Sequence, residues 1–149
     1  MEWMLMPLRR YAEFSGRSRR MEYWMFALLN VIVMSVITML MVAGGFSMSG
    51  LANGAPPEAP GILFWLGACL LGIYVLAIIV PSIAVTIRRL HDRDMSGWWY
   101  LGFILLSMIP MVGFIASIAM LVIFFLPGTP GPNRFGTDPK DPTSAEVFA

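Results

Sequence analysis

The chain has 149 residues, 58% of them apolar and 13% charged, whereas an average soluble domain is about 25% charged. That composition excludes a disordered chain and argues against a soluble one. Ten Lys and Arg against nine Asp and Glu leave a net charge of +1, too small a basic excess for tracking nucleic-acid phosphates, while one cysteine (Cys69) and one histidine (His91) exclude an intramolecular disulfide and a Cys/His zinc cage.

Near the start, Leu8, Tyr11, Ala12 and Ser15 recur at helical spacing opposite Arg9, Arg10 and Glu13, which predicts a short amphipathic helix on the inner leaflet. Charges are then absent from Tyr23 to Pro57, from Ala59 to Ile87 and from Met95 to Asn133. A bilayer core about 30 Å thick takes about 20 apolar residues of helix, so each block is long enough to cross. The first span is Tyr23 to Ala43, stopped by Gly44 and Gly45. It reads as an uncleaved anchor, because it begins only after 22 residues and outruns a signal-peptide core. Phe46 to Pro60 reads as an external loop. The second span is Gly61 to Ile87, with Pro81 as a kink near its inner end.

The third block, Trp98 to Leu126, would extend about 43 Å as one straight helix at 1.5 Å per residue. Pro110 and Gly113 offer a break at its middle. Two outcomes stay open: a hairpin of Trp98 to Ile109 and Met111 to Leu126, its turn hidden against other helices, or one kinked spanning helix. From Pro127 the chain is Pro/Gly-punctuated and then polar, an extended or disordered tail. The fold expected is all-α, a small polytopic transmembrane helical bundle with two full spans and a third block broken at Pro110 to Gly113. Residues 1–22 form its cytoplasmic segment, 23–126 its membrane domain and 127–149 its tail.

Orientation follows the distribution of Lys and Arg. Arg9, Arg10, Arg17, Arg19 and Arg20 precede the first span, the loop Phe46 to Pro60 has neither residue, and Arg88, Arg89 and Arg93 follow the second span. The N-terminus and Arg88 to Gly97 are therefore expected in the cytoplasm. Arg134 and Lys140 against Asp138, Asp141 and Glu146 place the tail weakly inside as well, which favours the hairpin. Trp24, Trp98 and Trp99 sit at inner boundaries and Trp65 near an outer one, as interfacial anchors or, alternatively, as core aromatics.

Chemistry-bearing residues gather at the span ends. His91 and Asp92 together suggest a metal site, but a catalytic centre needs about three protein ligands and no second histidine exists. His91 as a general acid or base lacks a paired nucleophile. Asp92 is expected to accept hydrogen bonds from an arginine of another cluster, with Arg17, Arg20 and Arg134 the candidates. Within the apolar blocks the polar residues are Asn30, Ser35, Thr38, Tyr74, Ser82, Thr86, Ser107 and Ser117, none ionisable at neutral pH, which argues against a proton-coupled carrier. Asn30 reads as an interhelical hydrogen-bonding group, and Ala68 with Gly72 and Gly113 with Ser117 as small pairs for close helix approach.

Three motifs carry a resemblance. They are Phe14, Gly16, Arg17, Arg20, Glu22, Tyr23 and Trp24; then Arg88 to Asp92 with Ser96, Trp98 and Trp99; then Gly128 to Gly136. In these the chain resembles the bacterial inner-membrane family called domain of unknown function 805, the YhaH-like proteins, over roughly Phe14 to Pro139. It departs at Thr137, where the family's tail has proline, and in the loop Phe46 to Pro60. The resemblance implies a small multi-helix inner-membrane protein with its motifs at the helix ends, and implies no activity.

The function expected is that of a non-enzymatic membrane component, multi-pass in the bacterial inner membrane with its N-terminus cytoplasmic. Its interface cluster would be Arg17, Arg20, Glu22, Arg88, Arg89, His91, Asp92, Trp98, Asn133 and Arg134, binding anionic lipid head groups or a membrane protein, a second copy included. No catalytic residue, metal or cofactor is assigned. The alternatives are a channel or transporter subunit, which needs a polar stripe through a span, and a membrane-embedded enzyme acting on lipid through His91 and Asp92.

Overall fold

Five helices and no strand occur among the described residues of the computed structural model, which are 2–45 and 60–140. The external loop read at Phe46 to Pro60 falls outside them apart from Pro60, as do Asp141 and Glu146. Helix α1 (Glu2–Arg9) opens on an acid and closes on a base, both favourable to its dipole. It ends sooner than the spacing of Leu8, Tyr11, Ala12 and Ser15 predicts. The Arg88 guanidinium draws off the backbone carbonyls of Arg10 and Glu13, at 3.2 and 2.7 Å, which a longer helix would spend internally.

Helix α2 (Arg20–Ala43) has 24 residues and α3 (Ile62–His91) has 30. At 1.5 Å per residue they reach about 36 and 45 Å, beyond the about 30 Å of a hydrocarbon core. Gly45, at φ +95°, stops α2 where the sequence places the stop. Helix α3 runs through Pro81 and continues four residues beyond Ile87, so that Arg88, Arg89 and His91 lie in its last turn against the negative end of its dipole. It closes with a Schellman motif: Met95 N–H donates to Leu90 O and Asp94 N–H to His91 O, both at 3.0 Å, with Asp94 in the left-handed position at φ 57°.

The chain divides into two compact units, Met1–Phe26 with Val80–Ala149, and Ala27–Ile79. In the second unit α2 and α3 run antiparallel. Tyr74 Oη donates to Asn30 Oδ1 at 2.8 Å, the interhelical bond expected of Asn30. The close approach falls at Gly67, where a Cβ would lie 2.5 Å from Met41 Cγ; Gly72, predicted for that role, has nothing within 4 Å.

In the first unit, α4 (Trp98–Ser107) and α5 (Val112–Phe125) pack on each other as a hairpin. Their 10 and 14 residues span about 15 and 21 Å, each short of a bilayer core. Pro110 ends one helix, Met111 turns the chain at φ 65°, and Gly113 lets the returning backbone pass Ser107, whose carbonyl oxygen a Cβ would meet at 2.6 Å. Of the two readings of the third block the structure has the hairpin, with each helix two residues shorter than predicted.

Burial is inverted relative to a soluble domain. Only 11% and 6% of the apolar windows of α2 and α3 are buried, whereas Arg17, Ser18, Glu22, Arg88, Arg89 and Asp92 are. Water would not tolerate so much apolar surface outside. A lipid solvent does, and it forces the polar groups to satisfy one another within the protein.

Candidate functional site

The buried polar groups of the first unit form one network at the N-terminal end of α2 and the C-terminal end of α3. Asp92 is its hub. Arg17 Nε donates to Asp92 Oδ1 at 3.0 Å and Arg89 Nη1 donates to Oδ2, all three side chains being at least 95% buried. Glu22, three residues into α2, accepts from Arg88 Nη2 at 2.8 Å. Three buried cations thus face two buried anions. The imbalance is offset by carbonyl dipoles: Arg17 donates to Thr129 O and Gly131 O at 2.6 Å each, and Arg89 donates to Phe124 O at 3.1 Å and to Leu126 O. The last two carbonyls belong to the open C-terminal end of α5, where the helix dipole is negative, and Arg20 caps the same end through Phe125 O at 3.2 Å.

The segment from Pro127 to Lys140 is a strap over this network rather than a free tail. Thr129 N–H donates to Asp92 O at 2.8 Å, Asn133 Nδ2 to His91 O at 2.9 Å, and Arg93 Nη1 to Pro127 O. Gly128 lies so close to Asp92 that a Cβ would overlap the carboxylate. The strap folds on itself through Asn133 and Gly136, and Asp138 Oδ2 accepts from Gly131 N–H at 3.0 Å. Burial works to raise the Asp138 carboxyl, but the amides of Lys140 and Gly131, with the nearby charges of Arg17 and Lys140, hold it below its usual value.

His91 lies against the Phe135 ring, centroids 3.9 Å apart and planes 3° from parallel, with Nδ1 3.2 Å from Gly16 O. That pose gives His91 a packing partner and a backbone acceptor. No group of three metal-ligating side chains occurs among the described residues.

Of the residues singled out from the sequence, the network gathers Arg17, Glu22, Arg88, Arg89, Asp92 and Asn133, with His91 and Arg20 at its margin. Arg17 is one of the expected partners of Asp92; Arg89, three residues earlier in the last turn of α3, is the second and is not among the expected candidates. Arg134 pairs instead with Asp94 at 3.2 Å, in the open, because the left-handed turn at Asp94 carries it out of the network. Trp98 is 78% exposed and takes no part. Thr129 and Gly131 act through backbone carbonyls, for which side-chain chemistry gives no signal.

Between α1 and the strap lies a cavity of about 570 Å³ that Arg17, Trp3, Arg9, Arg19, Phe135 and Pro139 help to line. Arg10 is paired with Glu13 at 2.6 Å, and that hydrogen bond holds the Glu13 carboxyl below its usual value.

Comparison with known proteins places these features in a family: its model, Protein of unknown function (DUF805), matches residues 11–137. The chain belongs to DUF805. Among its DUF805 relatives, inner membrane protein YhaI of Escherichia coli strain K12 is 39% identical over 140 residues, 94% of this chain and 97% of its own. Inner membrane protein YhaH of the same strain is 40% identical, over 94% and 98%. No solved structure matches. The two DUF805 helices long and apolar enough to cross a bilayer, together with these relatives, make the chain an integral protein of the bacterial inner membrane.

Proposed function

We propose that this protein works by binding at the cytoplasmic face of the inner membrane, without turnover. The carrying observation is the division of labour among its basic residues. Arg17, Arg88 and Arg89 are consumed by internal partners, while the cavity lined by Arg17 keeps Arg9 and Arg19, which pair with no carboxylate among the described residues. Bound molecules on this reading are lipid head groups or a membrane protein, and the ligand seat is the cavity rather than the buried cluster itself.

The asymmetry of Lys and Arg supports a multi-pass arrangement with the N-terminus, the α3–α4 turn and the strap cytoplasmic. The α4–α5 hairpin then enters the membrane from the inside and returns. Residues 1–22 form the cytoplasmic segment, 23–126 the membrane domain and 127–149 the strap and its extension. The channel or transporter reading is disfavoured because intramembrane hydroxyls turn back on their own helices: Ser35 to Val31 O at 2.7 Å, Thr86 to Ser82 O at 2.7 Å, and Ser117 to Gly113 O at 2.8 Å.

The test is native mass spectrometry of protein released gently from inner membranes, with proteoliposome assays beside it. A discrete ligand retained by the wild type and recovered unchanged is the expected result. Chemical conversion of that ligand, or an electrogenic current across proteoliposomes, would overturn the reading.

A further inference from the structure

The cavity between α1 and the strap has a lining that selects one chemical class. Of its four arginines, Arg17 is committed to Asp92 and Arg10 to Glu13. Glu22, the other acid in the lining, is committed to Arg88. Arg9 is exposed and pairs with no carboxylate among the described residues, and Arg19 meets neutral groups only: it donates to Pro139 O and lies over the Trp3 ring at 5.4 Å. Among the described residues, two cations of the lining are therefore left without a carboxylate and can attract an anion.

The remaining wall is apolar, from Trp3, Met6, Phe135 and Pro139. A volume of about 570 Å³ lies within the about 300–1,000 Å³ of small-molecule sites, far more than a bare anion fills. Position supplies the third constraint. Arg19 immediately precedes Arg20, the first residue of span α2, and α1 carries Leu5 and Leu8 exposed, as a helix resting on a bilayer does.

From these observations we infer that the cavity binds the phosphate-bearing head group of an anionic phospholipid, with Arg9 and Arg19 facing the phosphate and Trp3 and Phe135 facing the glycerol and first acyl carbons. The assignment rests on the binding function proposed above and gives it a ligand. Charge and apolar wall act together: the arginines discriminate against zwitterionic lipid, and the wall discriminates against a soluble phosphate.

The experiment uses the full chain in detergent, titrated with phosphatidylglycerol or phosphatidylcholine and read by native mass spectrometry. Wild type is expected to retain phosphatidylglycerol preferentially. Arg9→Gln with Arg19→Gln should weaken that preference about 25-fold, two cations at about fivefold each. Arg134→Gln with Lys140→Gln, the same charge change outside the cavity, should leave most of it, and Arg9→Lys with Arg19→Lys should restore it. Equal losses in both Gln pairs would reduce the preference to diffuse surface charge and overturn the site. Displacement of the lipid by millimolar inorganic phosphate would make the ligand a soluble anion and overturn the lipid assignment. Retention of some other molecule, with no preference for phosphatidylglycerol, would overturn the lipid assignment while sparing the binding function; conversion of a bound molecule would sink that function instead. Melting temperatures of both Gln pairs, expected to match the wild type, separate lost binding from lost folding.

Discussion

At the scale of single residues, Asp92 and Asp94 make a natural contrast, two positions apart on opposite sides of the helix stop. Asp92 accepts from two buried arginines; Asp94 pairs with Arg134 while about half exposed. Stripping one partner from a buried ion pair costs about 3–5 kcal/mol, whereas an exposed pair contributes about 0–1 kcal/mol. Asp92→Asn should therefore lower the melting temperature of the detergent-solubilised protein substantially and Asp94→Asn hardly at all. Gly128→Ala is the second residue-scale test. Its methyl group would occupy the space of the Asp92 carboxylate, so the strap must lift or the ion pairs must part. A loss comparable to that of Asp92→Asn is expected, and the two changes combined should lose less than their sum, since both break one network.

At the scale of elements, the hairpin and the strap are held by different physics. The α4–α5 turn places a side-chain-bearing residue, Met111, at φ 65°. With ψ at −50° and Val112 N–H donating to Pro110 O at 2.8 Å, Met111 is the centre of a γ-turn, a sparsely populated conformation that costs about 1–3 kcal/mol for a residue with a Cβ and less for glycine. Met111→Gly should raise the unfolding midpoint if α4 and α5 stay as they are, which circular dichroism would verify. The strap depends instead on Asp138, whose amide bonds keep its carboxyl ionised below the usual pH. Its folded-state value is lowered, so its contribution is complete above the unfolded-chain value and is lost as pH falls through the folded one. Amide protection at Gly131 and Lys140 should thus hold through mild acid and drop only as pH falls below the ordinary aspartate range, and Asp138→Asn should abolish that pH dependence. The helices were legible in the sequence because each charge-free block is self-contained. The end of α1 was not, because the carbonyls of Arg10 and Glu13 are claimed by Arg88, 78 and 75 residues further along the chain.

For the molecule as a whole, topology is the decisive measurement. Single cysteines at Pro60, Ser96 and Lys140 in a Cys69→Ser background can be probed with an impermeant thiol reagent in spheroplasts. Pro60→Cys should react from outside; Ser96→Cys and Lys140→Cys should react only after lysis. Outside labelling at Lys140→Cys alone would keep the orientation and show that the third apolar block crosses the membrane. A network with three cations and two anions also needs its shared carbonyls, so the strap, α5 and the N-terminal segment should lose protection together in hydrogen exchange when Asp92 is replaced.

The amino-acid sequence alone determined the membrane character, the positions of both long helices and the break at Pro110 to Gly113. These follow from transfer free energy and local backbone chemistry, which each segment carries by itself. It also brought most of the polar cluster into view, since charges excluded from lipid collect at the span ends. Only the tertiary structure decided the pairing. Arg17, Arg20 and Arg134 were equivalent as partners of Asp92 until the stop at Asp94 turned Arg134 outward and the α5 terminus engaged Arg20. Likewise the cavity exists because the strap returns beside α1, with Phe135 and Pro139 lining the same space as Trp3 and Arg9. Such contacts depend on where distant backbone groups come to rest, and neither the residue types nor their spacing specifies that.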